Sequence, residues 1–184
     1  SQKGKSLRYA LIGLQFVISI AFIICAIFLK KQHSYMMNYD MGFNKECLLT
    51  ANIPVSSMDE RDAFSSELLN NPNIKEVAWS QDRMVAEMHM TWGRWHHGEQ
   101  MMLTVMPVSW NFLQVMGIEV FEGRDFLPSD EKGDGAIILN EYAKNKYNLN
   151  LEEVIEWNGT PFPATGFCRD FHFKPLHEES DAFA

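Results

Sequence analysis

Cysteine is scarce in this chain. There are three among 184 residues, Cys25, Cys47 and Cys168. Cys25 lies in an uncharged apolar run, so at most one disulfide, Cys47–Cys168, can be drawn, and a disulfide framework is excluded. Positive charge is also in short supply. Sixteen Lys and Arg stand against 24 Asp and Glu, a formal net charge of -8. A protein of that balance does not track a phosphate backbone, so no nucleic-acid partner is expected. There is no glycine-rich phosphate loop, no HExxH and no paired CxxC. These absences remove the usual nucleotide cradle and the strong zinc signatures. Internal repeats and low-complexity tracts are missing too.

What the chain does have is one long run without charge. Tyr9 to Leu29 is 21 residues with no Asp, Glu, Lys or Arg. As a helix it measures about 31 Å, roughly the hydrocarbon thickness of a bilayer. A cleaved signal peptide has a shorter apolar region followed by small residues, whereas here Lys30-Lys31-Gln32-His33 comes directly after the run. Cys25 as a lipoprotein site is disfavoured by the large Ile24 before it. The run therefore reads as a retained transmembrane helix. Lys3, Lys5 and Arg8 precede it without an acidic residue, which places the N-terminal tail in the cytoplasm and the residues after the span outside. Gln15 and Ser19 lie four apart in the span, share one helix face, and are expected to contact other helices of a membrane bundle.

Between Leu29 and Gly42 there is neither proline nor glycine. The membrane helix is expected to continue as a rigid stalk that carries Gln32, His33, Tyr35, Met36 and Tyr39, with Gly42 as its C-cap. The expected organisation is a cytoplasmic tail over 1–8, a transmembrane helix over 9–29, a helical stalk over 30–41 and one domain over 42–184. The remaining length suffices for one core.

The domain reads as α+β, a mixed α/β arrangement. "CLLTANIP" suggests a strand stopped by Pro54. "SSMDERDAFSSELLNN" suggests a helix, because Ser57 and Glu60 have capping-box spacing and Phe64 and Leu68 share a face. "PNIKEVAWS" suggests a second strand, so these three form an expected β-α-β unit. The pattern dissolves from Gln81 to Gln100. "MMLTVMPV" resumes as a strand, and a short helix ending at Gly117 is followed by a strand closed by Gly123. "AIILNEYAKNKYNL" runs from strand to helix, and "VIEWNGTPFPATGFCRDFHF" forms a hairpin turning at Asn158-Gly159.

Two stretches invite a chemical reading. His89, His96, His97 and Glu99 lie among Met84, Met88, Met90, Met101 and Met102, residue types suited to zinc or copper. Adjacent His96 and His97 would point apart on a strand, and the spacing matches no ligand motif, so an amphipathic flap with Trp92 and Trp95 partly buried is preferred. Cys168, Asp170, His172 and His177 suggest a cysteine hydrolase, but the nucleophile context is missing and a packed strand edge is preferred. Asn158-Gly159-Thr160 matches a glycosylation sequon and is better explained as the hairpin turn. No catalytic residue, cofactor or metal is expected.

One resemblance covers nearly the whole chain. Arg8, Ile12, Gln15-Phe16 and Ser19, then "KKQHSYMMNYDMGFNKE", "NNPNIKEVAWS", "FLQVMGIEVFEGRDF", "AIILNEYAK" and "GFCRDFHFKPLHEE", occur in that order. The ordered set resembles the permease subunits of MacB/FtsX-type ABC transporters, of the kind found in Bacteroidetes-like bacteria. The Gln-Phe start looks like the second half of the long, duplicated permeases. The resemblance implies a bacterial inner-membrane protein with a periplasmic core domain, incomplete at its C-terminal end here, and a fragment of a permease half that would bear further spans. It implies a non-catalytic subunit that relays ATP-driven motion of membrane helices to the periplasmic domain, for substrate export or partner activation. Its implied partners are a cytoplasmic ATP-binding cassette ATPase, a second permease half or homodimer, the lipid bilayer, and a periplasmic adaptor or cell-wall hydrolase. Two other classes compete with it: a membrane-anchored periplasmic sensor or ligand-binding domain, and a membrane-anchored hydrolase or metal-handling protein.

Overall fold

The computed structural model describes residues 2–54, 57–83, 90–96, 98–133, 135–151, 154–157, 160–172 and 181–184. The chain divides into two units, one up to Asp40 and one from Met41 to Ala184.

The first unit is helix α1 (Gln2–Asn38), 37 residues without a break. At 1.5 Å per residue it is about 55 Å long, well beyond the roughly 30 Å of a bilayer core. It is the one helix among the described residues long and apolar enough to cross a membrane. Large apolar side chains such as Phe16, Phe22 and Phe28 are exposed on it. A helix apolar on every side suits lipid better than water. Its last turn is closed by its own side chain, since Asn38 Nδ2 donates to the Ser34 carbonyl at 2.8 Å. The helix therefore stops short of the expected Met41. Gly42 is not its cap. Its φ is +75 and a Cβ there would meet the Asp170 carbonyl oxygen at 2.6 Å, so the position suits glycine on both counts.

The second unit is built on two sheets. Strand β6 (Thr160–Cys168) is central to the larger one. It pairs antiparallel with β3 (Val120–Gly123) and β5 (Val154–Trp157), and parallel with β4 (Ile137–Asn140). All four β4 residues are buried. Ile138 packs into one cluster with Met116, Ile118, Cys168 and Phe171, while Ile137 and Leu139 pack into another with Leu103, Ile155 and Phe167. The alternation of the pleat thus feeds two cores, one on each face, as expected of a strand covered on both sides.

The smaller sheet is a hairpin of β1 (Met90–His96) and β2 (Glu99–Val105). Residues 181–184 join it to the larger sheet. Thr104 N donates to Ala182 O at 2.8 Å, Ala184 N to Thr104 O at 2.9 Å, and Asn140 N to Phe183 O at 3.0 Å. Farther along the same edge of β2, Met102 N donates to the Tyr147 hydroxyl at 3.0 Å, and that hydroxyl donates to Met102 O at 3.1 Å. Covering the edge in this way removes a template for unwanted pairing.

The helices follow local rules. In α2 (Met58–Leu69), Ser57 Oγ accepts from Glu60 N at 3.2 Å, the N-cap half of the expected box. Helix α3 (Phe112–Met116) ends at Gly117, whose φ of 68 gives the left-handed cap that glycine adopts without strain. In α4 (Pro128–Lys132), Asp130 accepts from Leu127 N at 2.8 Å and pairs bidentately with Arg124. The hydrogen bonds from Arg124 hold the Asp130 carboxyl below the usual carboxylate range. Helix α5 (Glu141–Tyr147) is capped by Asn140, which accepts from Ala143 N at 3.0 Å.

Several sequence expectations are corrected. Neither 47–54 nor 72–80 forms a ladder strand, apart from an isolated bridge between Ser80 and Val108. In 77–79 the backbone is paired differently: Trp79 N donates to Ser109 Oγ at 2.9 Å, and Val77 O accepts from Asn111 Nδ2 at 3.0 Å. Loop side chains thus satisfy part of this segment, and loop backbone the rest, with Ser109 N donating to Trp79 O at 2.8 Å. In 47–54 Leu48 packs against the core while Leu49 is 91% exposed, so only part of the apolar signal is used. The parallel crossover of the domain is β4–α5–β6, with β5 inserted before β6. The stretch from Gln81 to Gln100, where the sequence pattern dissolves, contains β1. Cys47 and Cys168 are both free, one exposed and one buried, so the disulfide is not formed.

Candidate functional site

Gln15 and Ser19 both lie in α1, one turn apart and exposed. Gln32, His33, Tyr35 and Met36 come later in the same helix, and Tyr39 lies just past its end. Tyr35 and Tyr39 meet edge to face with ring centroids 5.6 Å apart. That contact and the Asn38–Ser34 bond stiffen the last turn.

The histidine–methionine stretch is described only in part. His89, His97, Met84 and Met88 lie outside the described residues. Met101 is buried while its neighbour Met102 is exposed, as alternation on β2 requires. His96 stands opposite Glu99 at the end of the hairpin, Trp92 is half-buried and Trp95 is 77% exposed. Among the described residues no group of three His, Cys, Asp or Glu is placed to hold a metal ion.

Cys168, Asp170 and His172 are structural where they can be described. Burial pushes the Cys168 thiol up to about 12, helped by the charge of Asp170. Asp170 Oδ1 accepts from Tyr142 N at 2.9 Å, in the first turn of α5. His172 N donates to Met41 O at 2.7 Å. His177 lies outside the described residues, as do Asn158 and Gly159, although Trp157 pairs with Thr160 as a two-residue hairpin connection requires. A maleimide at pH 8 should therefore modify Cys47 in the native chain within minutes and Cys168 only after denaturation. Mass spectrometry of the labelled protein checks this, and rapid native labelling of Cys168 would contradict its burial.

A polar cavity of about 130 Å³ lies between α2, residues 77–79, the loop at 109–111 and α4. Its wall is tightly cross-linked. Trp79 Nε1 donates to Ser65 Oγ at 2.9 Å, and Ser65 Oγ donates to Arg61 O at 2.7 Å. Ser109 Oγ donates to Asn111 Oδ1 at 2.9 Å. The hydroxyl protons are thus committed within the wall. Arg61 is the exception. Its guanidinium lies 5.8 Å from the Trp79 ring centroid, and its buried Nε has no hydrogen-bond acceptor. Helix α2 and its cap are legible in the sequence, but no motif marks this cavity, because separate segments form it.

No protein-family model and no curated protein matches the chain. Solved structures do. The periplasmic region of MacB from Actinobacillus actinomycetemcomitans aligns at 15% identity and a TM-score of 0.49, over 70% of this chain and 60% of that one. The extracellular domain of the noncanonic ABC-type transporter YknZ from Gram-positive bacteria aligns at 18% identity and a TM-score of 0.37, over 50% of this chain and 46% of that one. The chain spans less than two thirds of either. At such scores the likeness assigns no role to any residue here.

Proposed function

We propose that this chain is the first membrane helix and the following periplasmic domain of a MacB/FtsX-type permease half in a bacterial inner membrane. Its work is to pass ATP-driven motion of membrane helices to the domain outside, for substrate export or partner activation. The observation that carries the proposal is α1, whose 37 residues run unbroken well past the length a bilayer needs. A continuous helix transmits displacement, whereas a glycine- or serine-rich linker would absorb it. The ordered segments that resemble this family add support. The ATPase is a separate cytoplasmic subunit in this reading, and the chain itself carries no catalytic group. Gln15 and Ser19 face the other helices of the bundle, because an amide in hydrocarbon is costly without a partner.

A photo-crosslinking residue in place of Gln15 tests the bundle in cells. It should yield a discrete adduct with a second membrane chain, in a complex that retains an ATP-binding cassette subunit on purification. The same residue in place of Phe22 serves as a lipid-facing comparison. Adducts with lipid alone from both positions would leave α1 as a simple anchor.

A further inference from the structure

We propose that the cavity over Arg61 binds a small zwitterion of the α-amino acid class, with the ligand carboxylate on Arg61 and its ammonium on Glu131 and Asp62. The site does not depend on the permease reading. Its first support is the inventory of uncommitted groups. Ser65, Ser109, Asn111 and the Trp79 indole are engaged with one another or with backbone. Arg61 has no ion-pair partner among the described residues. An incoming carboxylate supplies the charge and the planar acceptor that a guanidinium matches.

Asp62 and Glu131 also line the cavity, and neither has an ion-pair partner among the described residues. One cation and two anions oppose a plain anion as well as a plain cation. A molecule bearing both charges on adjacent carbons satisfies both halves. Size restricts it further. About 130 Å³ is a little under the roughly 150 Å³ of a cavity that admits benzene, which suits the amino acid head and a small side chain. Met58, 44% exposed, and Trp110, 37% exposed, form an apolar rim where a short side chain would lie.

Calorimetry on the full chain in detergent tests the assignment, with glycine, L-alanine, acetate and methylammonium as probes. Glycine or L-alanine should bind with a Kd between roughly 10 µM and 1 mM. Acetate and methylammonium, each offering half the contacts, should bind at least about tenfold more weakly. Arg61→Gln and Glu131→Gln should each weaken amino acid binding by about tenfold or more. Because Arg61 also packs on Trp79, the exposed Glu131 supplies the variant that leaves packing alone. No binding of either amino acid up to roughly 10 mM overturns the proposal. Acetate binding as tightly as L-alanine, or Glu131→Gln binding like the unaltered chain, overturns it equally.

Discussion

On the permease reading proposed above, insertion of Gly-Gly between Gln32 and His33 should leave the domain after α1 folded and the ATPase of the assembled complex turning over, yet abolish output on the far side of the membrane. The two residues rotate everything after them by roughly 200° and lengthen the helix by about 3 Å. They also place two poor helix formers in the stalk, each about 1 kcal/mol worse than alanine. Domain folding is spared because its two cores draw on residues from Phe43 onward. Output suffers if the span drives the domain through α1, because the motion then arrives out of phase and through a softened segment. Seven alanines at the same site separate phase from length. They add about 10 Å but return the helix to within roughly 20° of its original face, and most of the output should return. A passive tether has no phase to lose and would tolerate both insertions. ATP hydrolysis and periplasmic output are measured in the same reconstituted complex. Wild-type output from the Gly-Gly chain would remove the transmission role and favour the membrane-anchored ligand-binding reading.

The features legible in the sequence were those set by neighbours along the chain. An uncharged run announces α1, Ser57 announces the start of α2, and Gly117 announces the end of α3. The change from β4 to α5 is written in "AIILNEYAK", where an apolar run meets a capping asparagine. The features that were not legible depend on distant partners. Segment 72–80 has strand-like composition, but its backbone finds Ser109 and Asn111 instead of another strand. Strand β1 is hidden because Trp92 and Arg94 share its inner side with Met90, and no alternation shows until β2 pairs with it. Gly42 looked like a helix cap and is instead a close approach to Asp170 and Phe171, 128 or more residues away in sequence. The cavity obeys the same logic: Arg61, Trp79 and Ser109 become neighbours only through tertiary structure.

Asn140 concentrates that dependence in one side chain, and Asn140→Ala should destabilise the domain by roughly 3–5 kcal/mol. The residue is fully buried. Its Oδ1 accepts from Ala143 N at 3.0 Å and from Phe183 N at 2.9 Å, while its Nδ2 donates to Asp181 O at 3.0 Å. One amide therefore caps α5 and clips 181–183 between β2 and β4. Alanine loses the cap, worth about 1 kcal/mol, and leaves buried backbone groups without partners at about 1–3 kcal/mol each. Asn140→Asp separates the two halves of this role. Aspartate keeps both acceptor contacts but has no donor for Asp181 O when ionised. Burial should raise its folded-state pKa above the unfolded value of about 3.9. The folded state then holds the extra proton, so relative to the unaltered chain the aspartate variant is least harmed at low pH and loses stability as pH rises above about 4. Urea unfolding followed by tryptophan fluorescence, on both variants and the parent at matched pH between about 4 and 8, gives the differences directly. A loss under about 1 kcal/mol for Asn140→Ala, or a pH-independent gap for Asn140→Asp, would mean that the clip is not what holds 181–184 in the sheet.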